Sequence, residues 1–144
     1  MGFETIPREM EGFHLSSPIV EFLKKHKYVK VSEDEAKTYY FPKGLYWGQK
    51  IFILDDQPLF TEKKQITLTF DKEKLFSIAV THLTPPSPWP DFIAGYVSRY
   101  GQPENQEENY FWENEMTQML IGKVEQLGIT AFNIILSDKM AGQI

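Results

Sequence analysis

The clearest signal along the chain is alternation. Gln65-Ile66-Thr67-Leu68-Thr69-Phe70 puts Ile66, Leu68 and Phe70 on one side and Thr67 and Thr69 on the other. Successive side chains of a strand point to opposite faces, so the run reads as a half-buried strand. Asp71-Lys72-Glu73-Lys74 makes a turn, and Leu75 to Leu83 returns. On the return, Phe76, Ile78 and Val80 share one face, and Ser77, Ala79 and Thr81 share the other. The pair predicts an antiparallel hairpin with one polar side. Residues 130–138 alternate in the same way, with Phe132, Ile134 and Leu136 against Asn133, Ile135 and Ser137. Further strands are expected at 37–42, 49–54, 109–114 and 116–125.

Helical spacing occurs twice. Ile19, Phe22, Leu23 and His26 fall on one face after Ser16-Ser17-Pro18, which predicts a capped helix at about 18–27. Lys24, Lys25 and Lys27 then sit where cations suit the helix dipole. The proline-rich Thr84-Pro85-Pro86-Ser87-Pro88 blocks both helix and ladder. Beyond it, Trp89, Phe92, Ile93, Tyr96, Val97 and Tyr100 form an apolar stripe over 88–100, stopped by Gly101 and Pro103. Residues 1–15 read as an irregular lead-in.

These elements define an α+β domain spanning 1–144: an antiparallel sheet of about five to seven strands with two helices packed on one face. The order helix-then-strands occurs in both 16–83 and 87–140, an α-β-β-β pseudo-repeat. Arg99-Tyr100-Gly101-Gln102-Pro103 ends a helix and leads to an aromatic strand with Trp112 and then a hairpin. In element order over residues 13–140 this resembles the β-lactamase-inhibitor-protein-like fold and the related outer-membrane-assembly lipoproteins of the bacterial envelope. The resemblance implies a protein-binding, non-enzymatic domain. The chain departs from these families in having neither a lipid-anchor cysteine nor paired cysteines.

Composition narrows the functional classes. The chain has 144 residues, 42% of them hydrophobic, which excludes an intrinsically disordered protein. A net charge of -5 disfavours binding to a phosphate backbone, so no nucleic-acid partner is expected. There is no cysteine, which removes disulfides, thiolate catalysis and cysteine-ligated zinc. No apolar run reaches the length of a membrane span. The start shows no signal-peptide pattern. The compartment stays open: exported or periplasmic if a signal was removed, cytoplasmic otherwise.

No catalytic constellation is legible. His14, His26 and His82 lie in no nucleophile elbow or triad motif. His26 and His82 read as packed histidines and His14 as an exposed one. Neither a metal-ligand spacing nor a phosphate-binding glycine loop occurs, so neither a metal nor a cofactor is expected. The acidic stretch Glu104, Glu107, Glu108, Glu113, Glu115 reads as a solvated loop.

Two features remain for binding. One is the aromatic set, from which Tyr40, Trp47, Tyr110 and Trp112 are candidate anchors, because Tyr and Trp concentrate at binding hot spots. The other is the hydroxyl-rich sheet face, with Thr67, Thr69 and Thr81 as candidate polar contacts. Three readings follow: a module that docks a protein or peptide on an open sheet face, an enzyme or small-ligand carrier with a site between helices and sheet, and a self-associating structural subunit. The sequence does not fix the oligomeric state.

Overall fold

The computed structural model describes residues 3–25, 28–30, 49–54, 64–82, 86–106, 109–126 and 128–139. The lead-in is not irregular. Strands β1 (Glu9–Met10) and β2 (Phe13–His14) form a small hairpin. Its two turn residues, Glu11 and Gly12, have φ of 56° and 84°, the pattern of a type I′ turn. Helix α1 (Ile19–Lys25), β3 (Tyr28–Lys30), β4 (Gln49–Leu54), β5 (Lys64–Asp71) and β6 (Lys74–His82) follow. The second half holds α2 (Trp89–Tyr100), β7 (Glu104–Gln106), β8 (Asn109–Glu113), β9 (Thr117–Gln126) and β10 (Ile129–Asp138).

The strands from β3 onward make one 8-stranded antiparallel sheet in the order β3-β4-β5-β6-β10-β9-β8-β7. The order reads the same from either edge. Among the described residues, each half is a helix followed by four antiparallel strands, and the halves meet where β6 pairs with β10. The sheet is thus wider than expected, because β3 and β7 are short edge strands with little apolar signal. The strand expected at 37–42 lies outside the described residues.

Register stacks the alternating residues into rows. Leu68, Ile78, Leu136, Met119 and Trp112 are successive cross-strand partners on one face. Ile66, Val80, Ile134, Ile121 and Tyr110 form the next row. All but Tyr110 are buried, and they carry the core. Each fully buried aliphatic side chain contributes about 1.5–3 kcal/mol. The β5–β6 register slips between Thr69 and Phe70, so Thr69 faces Ser77 while Phe70 faces Leu75. That bulge leaves Phe76 without a partner and moves it half out of the core. Leu75 takes the buried place expected of Phe76.

The helices lie over these rows. The ring of Phe132 sits 4.9 Å from both Trp89 and Phe92 of α2, and Phe22 of α1 sits 5.5 Å from Phe70. His82 packs edge-on against Phe92 at 6.0 Å, as a packed histidine should. His26 lies outside the described residues.

The N-terminal segment latches onto the same face. Ser16 N donates to Leu75 O at 2.7 Å, Leu75 N to Ser17 O at 2.9 Å and Ile19 N to Glu73 O at 2.8 Å. Ser16 and Ser17 therefore do not cap α1 as expected. The Ser17 hydroxyl donates to His14 O and the Ser16 hydroxyl to Asp138. Arg8 reaches further: its guanidinium bonds Thr117 Oγ1 at 2.9 Å, Met116 O at 3.2 Å and the Asp138 carboxylate at 3.0 Å.

Lys72 and Glu73, at the β5–β6 turn, have φ of 52° and 69° without being glycine. The left-handed region disfavours a Cβ, and this turn type prefers Asn-Gly. The double substitution K72N/E73G should raise stability by about 1 kcal/mol. A urea titration checks it. An unchanged or lower midpoint would contradict the strain assigned to this turn.

Candidate functional site

The aromatic residues of β8 split by face. Tyr110 and Trp112 point to the helix side, and Phe111 to the other. Trp112 is 5% exposed, and its indole N–H donates to Gly101 O at 2.8 Å. It packs against Tyr96 and Tyr100 of α2. Tyr110 is half-buried beside Trp89, at 6.1 Å. Neither stands as an anchor on an open face. Tyr40 and Trp47 lie outside the described residues.

The expected hydroxyl-rich face is also only partly open. Thr67 and Thr69 are 6% and 4% exposed, and Ser77 is buried as well. Thr81 stays half-exposed. The accessible part of this back face has moved toward the β6, β10, β9 and β8 strands.

There the register builds a row that the sequence reading did not single out. Ala79 pairs with Ile135, Ile135 with Leu120, Leu120 with Phe111, and Phe111 with Glu104. Ala79, Ile135, Leu120 and Phe111 are all half-exposed. Polar rows flank this apolar one. Ser77, Ser137, Gln118 and Glu113 run along one side; Thr81, Asn133, Gly122 and Asn109 run along the other. The Oδ1 atom of Asn133 is buried and accepts no hydrogen bond from the described residues. A Cβ on Gly122 would run into the Asn109 side-chain amide, which lies over that glycine. Alternation alone could have found the row: Phe111, Leu120 and Ile135 are the apolar residues out of phase with the core set.

Two clefts border the sheet. One, of about 140 Å³, lies between the N-terminal hairpin, α1 and the sheet, and His14, Ser17 and Glu21 line it beside Phe22 and Phe70. These do not form a catalytic set. The Ser17 hydroxyl bonds the main-chain oxygen of His14 rather than its ring, and His14 Nδ1 is 2.7 Å from Leu15 O. The second, of about 430 Å³, opens where residues 4–6, the end of α2 and the β7–β8 edge meet. Tyr100, Phe111 and Trp112 contribute its aromatic surface; Glu4, Glu104 and Glu113 contribute carboxylates. Behind Tyr100 and Trp112, which its ring contacts, burial and then the neighbouring Tyr100 hold the Tyr96 phenol above its ordinary pKa. Among the described residues no group of three or more His, Cys, Asp or Glu could hold a metal ion.

Gly101 anchors this second cleft. It has φ of 93° and ψ of -169°, a region open almost only to glycine. Its N–H bonds Val97 O at 2.9 Å, its carbonyl takes the Trp112 indole, and a Cβ there would stand 2.9 Å from the Phe3 ring.

No family model, curated protein or solved structure matches this chain. Fold and geometry therefore define its class: an α+β domain whose continuous antiparallel sheet has helices on one face and a partly exposed apolar row on the other. No helix among the described residues is long and apolar enough to cross a membrane.

Gly101→Ala should cost about 2 kcal/mol, from backbone strain and the displaced Phe3. Trp112→Phe should cost about 1–3 kcal/mol, because Gly101 O is left buried without a donor. Thermal unfolding of the two variants checks both values. Variants as stable as the parent would remove Gly101 and Trp112 as the joint between α2 and the sheet.

Proposed function

We propose that this protein is a non-catalytic binding module that docks a protein segment on the back face of its sheet. One observation carries the reading: Ala79, Ile135, Leu120 and Phe111 make a half-exposed apolar row across four adjacent strands, with no charged side chain among them. A face that only meets water gains nothing from a leucine, an isoleucine and a phenylalanine in register. A rigid sheet presenting them loses little entropy on binding. The flanking Thr81, Gln118 and Asn133 supply hydrogen-bonding groups of the kind found at interface rims.

The likeness in element order to inhibitor-protein-like and envelope-assembly domains points the same way, toward a bacterial envelope protein that binds other proteins. The threonines join the contact only at Thr81, since Thr67 and Thr69 are buried.

Ile135→Lys and Leu120→Lys put a charge into the row without emptying the core. Each should leave the thermal midpoint within a few degrees of the parent. Each should lower cross-linked capture of a protein partner at least tenfold, about 1.4 kcal/mol or more. Ser98→Lys, on the exposed side of α2, is the control and should capture as the parent does. Capture unaffected by the row substitutions would overturn the proposal. So would sedimentation showing that the parent pairs with itself and that Ile135→Lys does not, because the occupant would then be a second copy.

A further inference from the structure

The apolar row does not stop at Phe111. Its next cross-strand partner is Glu104 of β7, and both residues line the 430 Å³ cleft at the sheet edge. The cleft is thus continuous with the proposed docking row.

Its chemistry is one-sided. Three carboxylates and three aromatic residues line it, and among the described residues no Lys, Arg or His does. Two of the carboxylates already hold a cation at the rim. Glu4 pairs with Arg99 at 3.2 Å, and Glu113 pairs with Lys139 at 3.1 Å. Glu104 makes no ion pair among the described residues. The chain's own Arg99 shows what suits this rim: besides pairing with Glu4, its guanidinium carbon lies 5.9 Å from the centre of the Tyr100 ring. A planar guanidinium can pair with a carboxylate and stack on a ring at once, which a lysine ammonium does less well.

We infer that this cleft receives an arginine side chain of the docked partner, with Glu104 as its counter-charge and Phe111 against its guanidinium plane. The inference rests on the back-face docking reading and adds the partner's charge and its direction. Apolar side chains lie along Ala79, Ile135 and Leu120, and the arginine falls at the β7 end. Charge complementarity supports it: a chain of net charge -5 offers an unmatched carboxylate where its apolar row ends.

The test is an NMR titration of the full chain with Nα-acetyl-arginine methylamide. Its neutral isostere, Nα-acetyl-citrulline methylamide, is the comparison. The arginine compound should shift the Trp112 indole and the amides of Glu104 and Phe111 saturably, with weak affinity; the citrulline compound should not. Glu104→Gln, a substitution of an exposed side chain, should weaken arginine binding about fivefold. Equal shifts from both compounds, shifts mapping elsewhere, or no shifts would overturn the inference. Ile135→Lys separates it from the docking proposal, because that variant should lose partner capture and still bind the arginine compound. Capture intact in Glu104→Gln, with no arginine binding in the parent, would reject the cleft and leave the row standing.

Discussion

The pleat of β10 is the constraint from which most of this structure follows. This strand sits at the centre of the sheet and pairs over its length with β9 and over six residues with β6. Because side chains alternate, Phe132, Ile134 and Leu136 are committed to the helix face once Ile134 is buried. A slip of one residue would exchange them for Asn133, Ile135 and Ser137. The apolar partners Val80, Ile78, Ile121 and Met119 make that slip costly, since several buried aliphatic side chains would go to water together. The same commitment turns Ile135 outward. The exposed apolar row is therefore a consequence of core register, with its members fixed to the opposite face.

The helix layer is tied down at two places by different means. On the α2 side the tie is Gly101, which closes the helix through Val97, accepts from the buried Trp112 indole and leaves room for Phe3. On the α1 side it is the main-chain pairing of Ser16–Ile19 with Glu73–Leu75. Arg8 adds a partly buried charge pair with Asp138, reinforced by Thr117 and Met116 O. Charge-assisted hydrogen bonds of this kind are stronger than neutral ones. Together these contacts draw residues 3–16 into the domain and form one wall of each cleft.

How much of this was legible depends on how strongly each segment alternates. The β5–β6 hairpin, β10 and α2 could be read from the sequence because their apolar residues repeat over many positions. β7 could not: Glu104-Asn105-Gln106 has no apolar residue, and an edge strand held by one neighbour needs none. The β1–β2 hairpin is too short for periodicity to register. Phe76 was misplaced because a bulge is a change of phase that the amino-acid pattern does not announce. The side taken by Tyr110 and Trp112 was not legible for a related reason. Alternation says that Tyr110 and Trp112 share a face and that Phe111 takes the other, but it does not say which face is covered. The strand partners decide that, since Trp112 lies opposite Met119 and Tyr110 opposite Ile121. Likewise Thr67 and Thr69 were assigned to the correct side, while composition could not report their burial.

A wet sheet face and a docking face differ less in total polarity than in its arrangement. On the back of this sheet the charged side chains among the described rows lie toward the ends, Glu104 and Glu113 at the β7–β8 edge and Asp71 and Lys74 at the β5–β6 turn, while the row from Ala79 to Phe111 is uncharged. That separation matters energetically. A charge at the middle would have to be desolvated when a partner closes over it, whereas a charge at the edge keeps part of its water and steers the approach. Uncharged side chains with one hydrogen-bonding group each, such as Thr81 and Asn133, are cheaper to desolvate than lysine or glutamate. The arrangement thus favours close contact at the centre and orientation from one end, and it is this gradient along a single row, rather than any single residue, that argues for a directional partner.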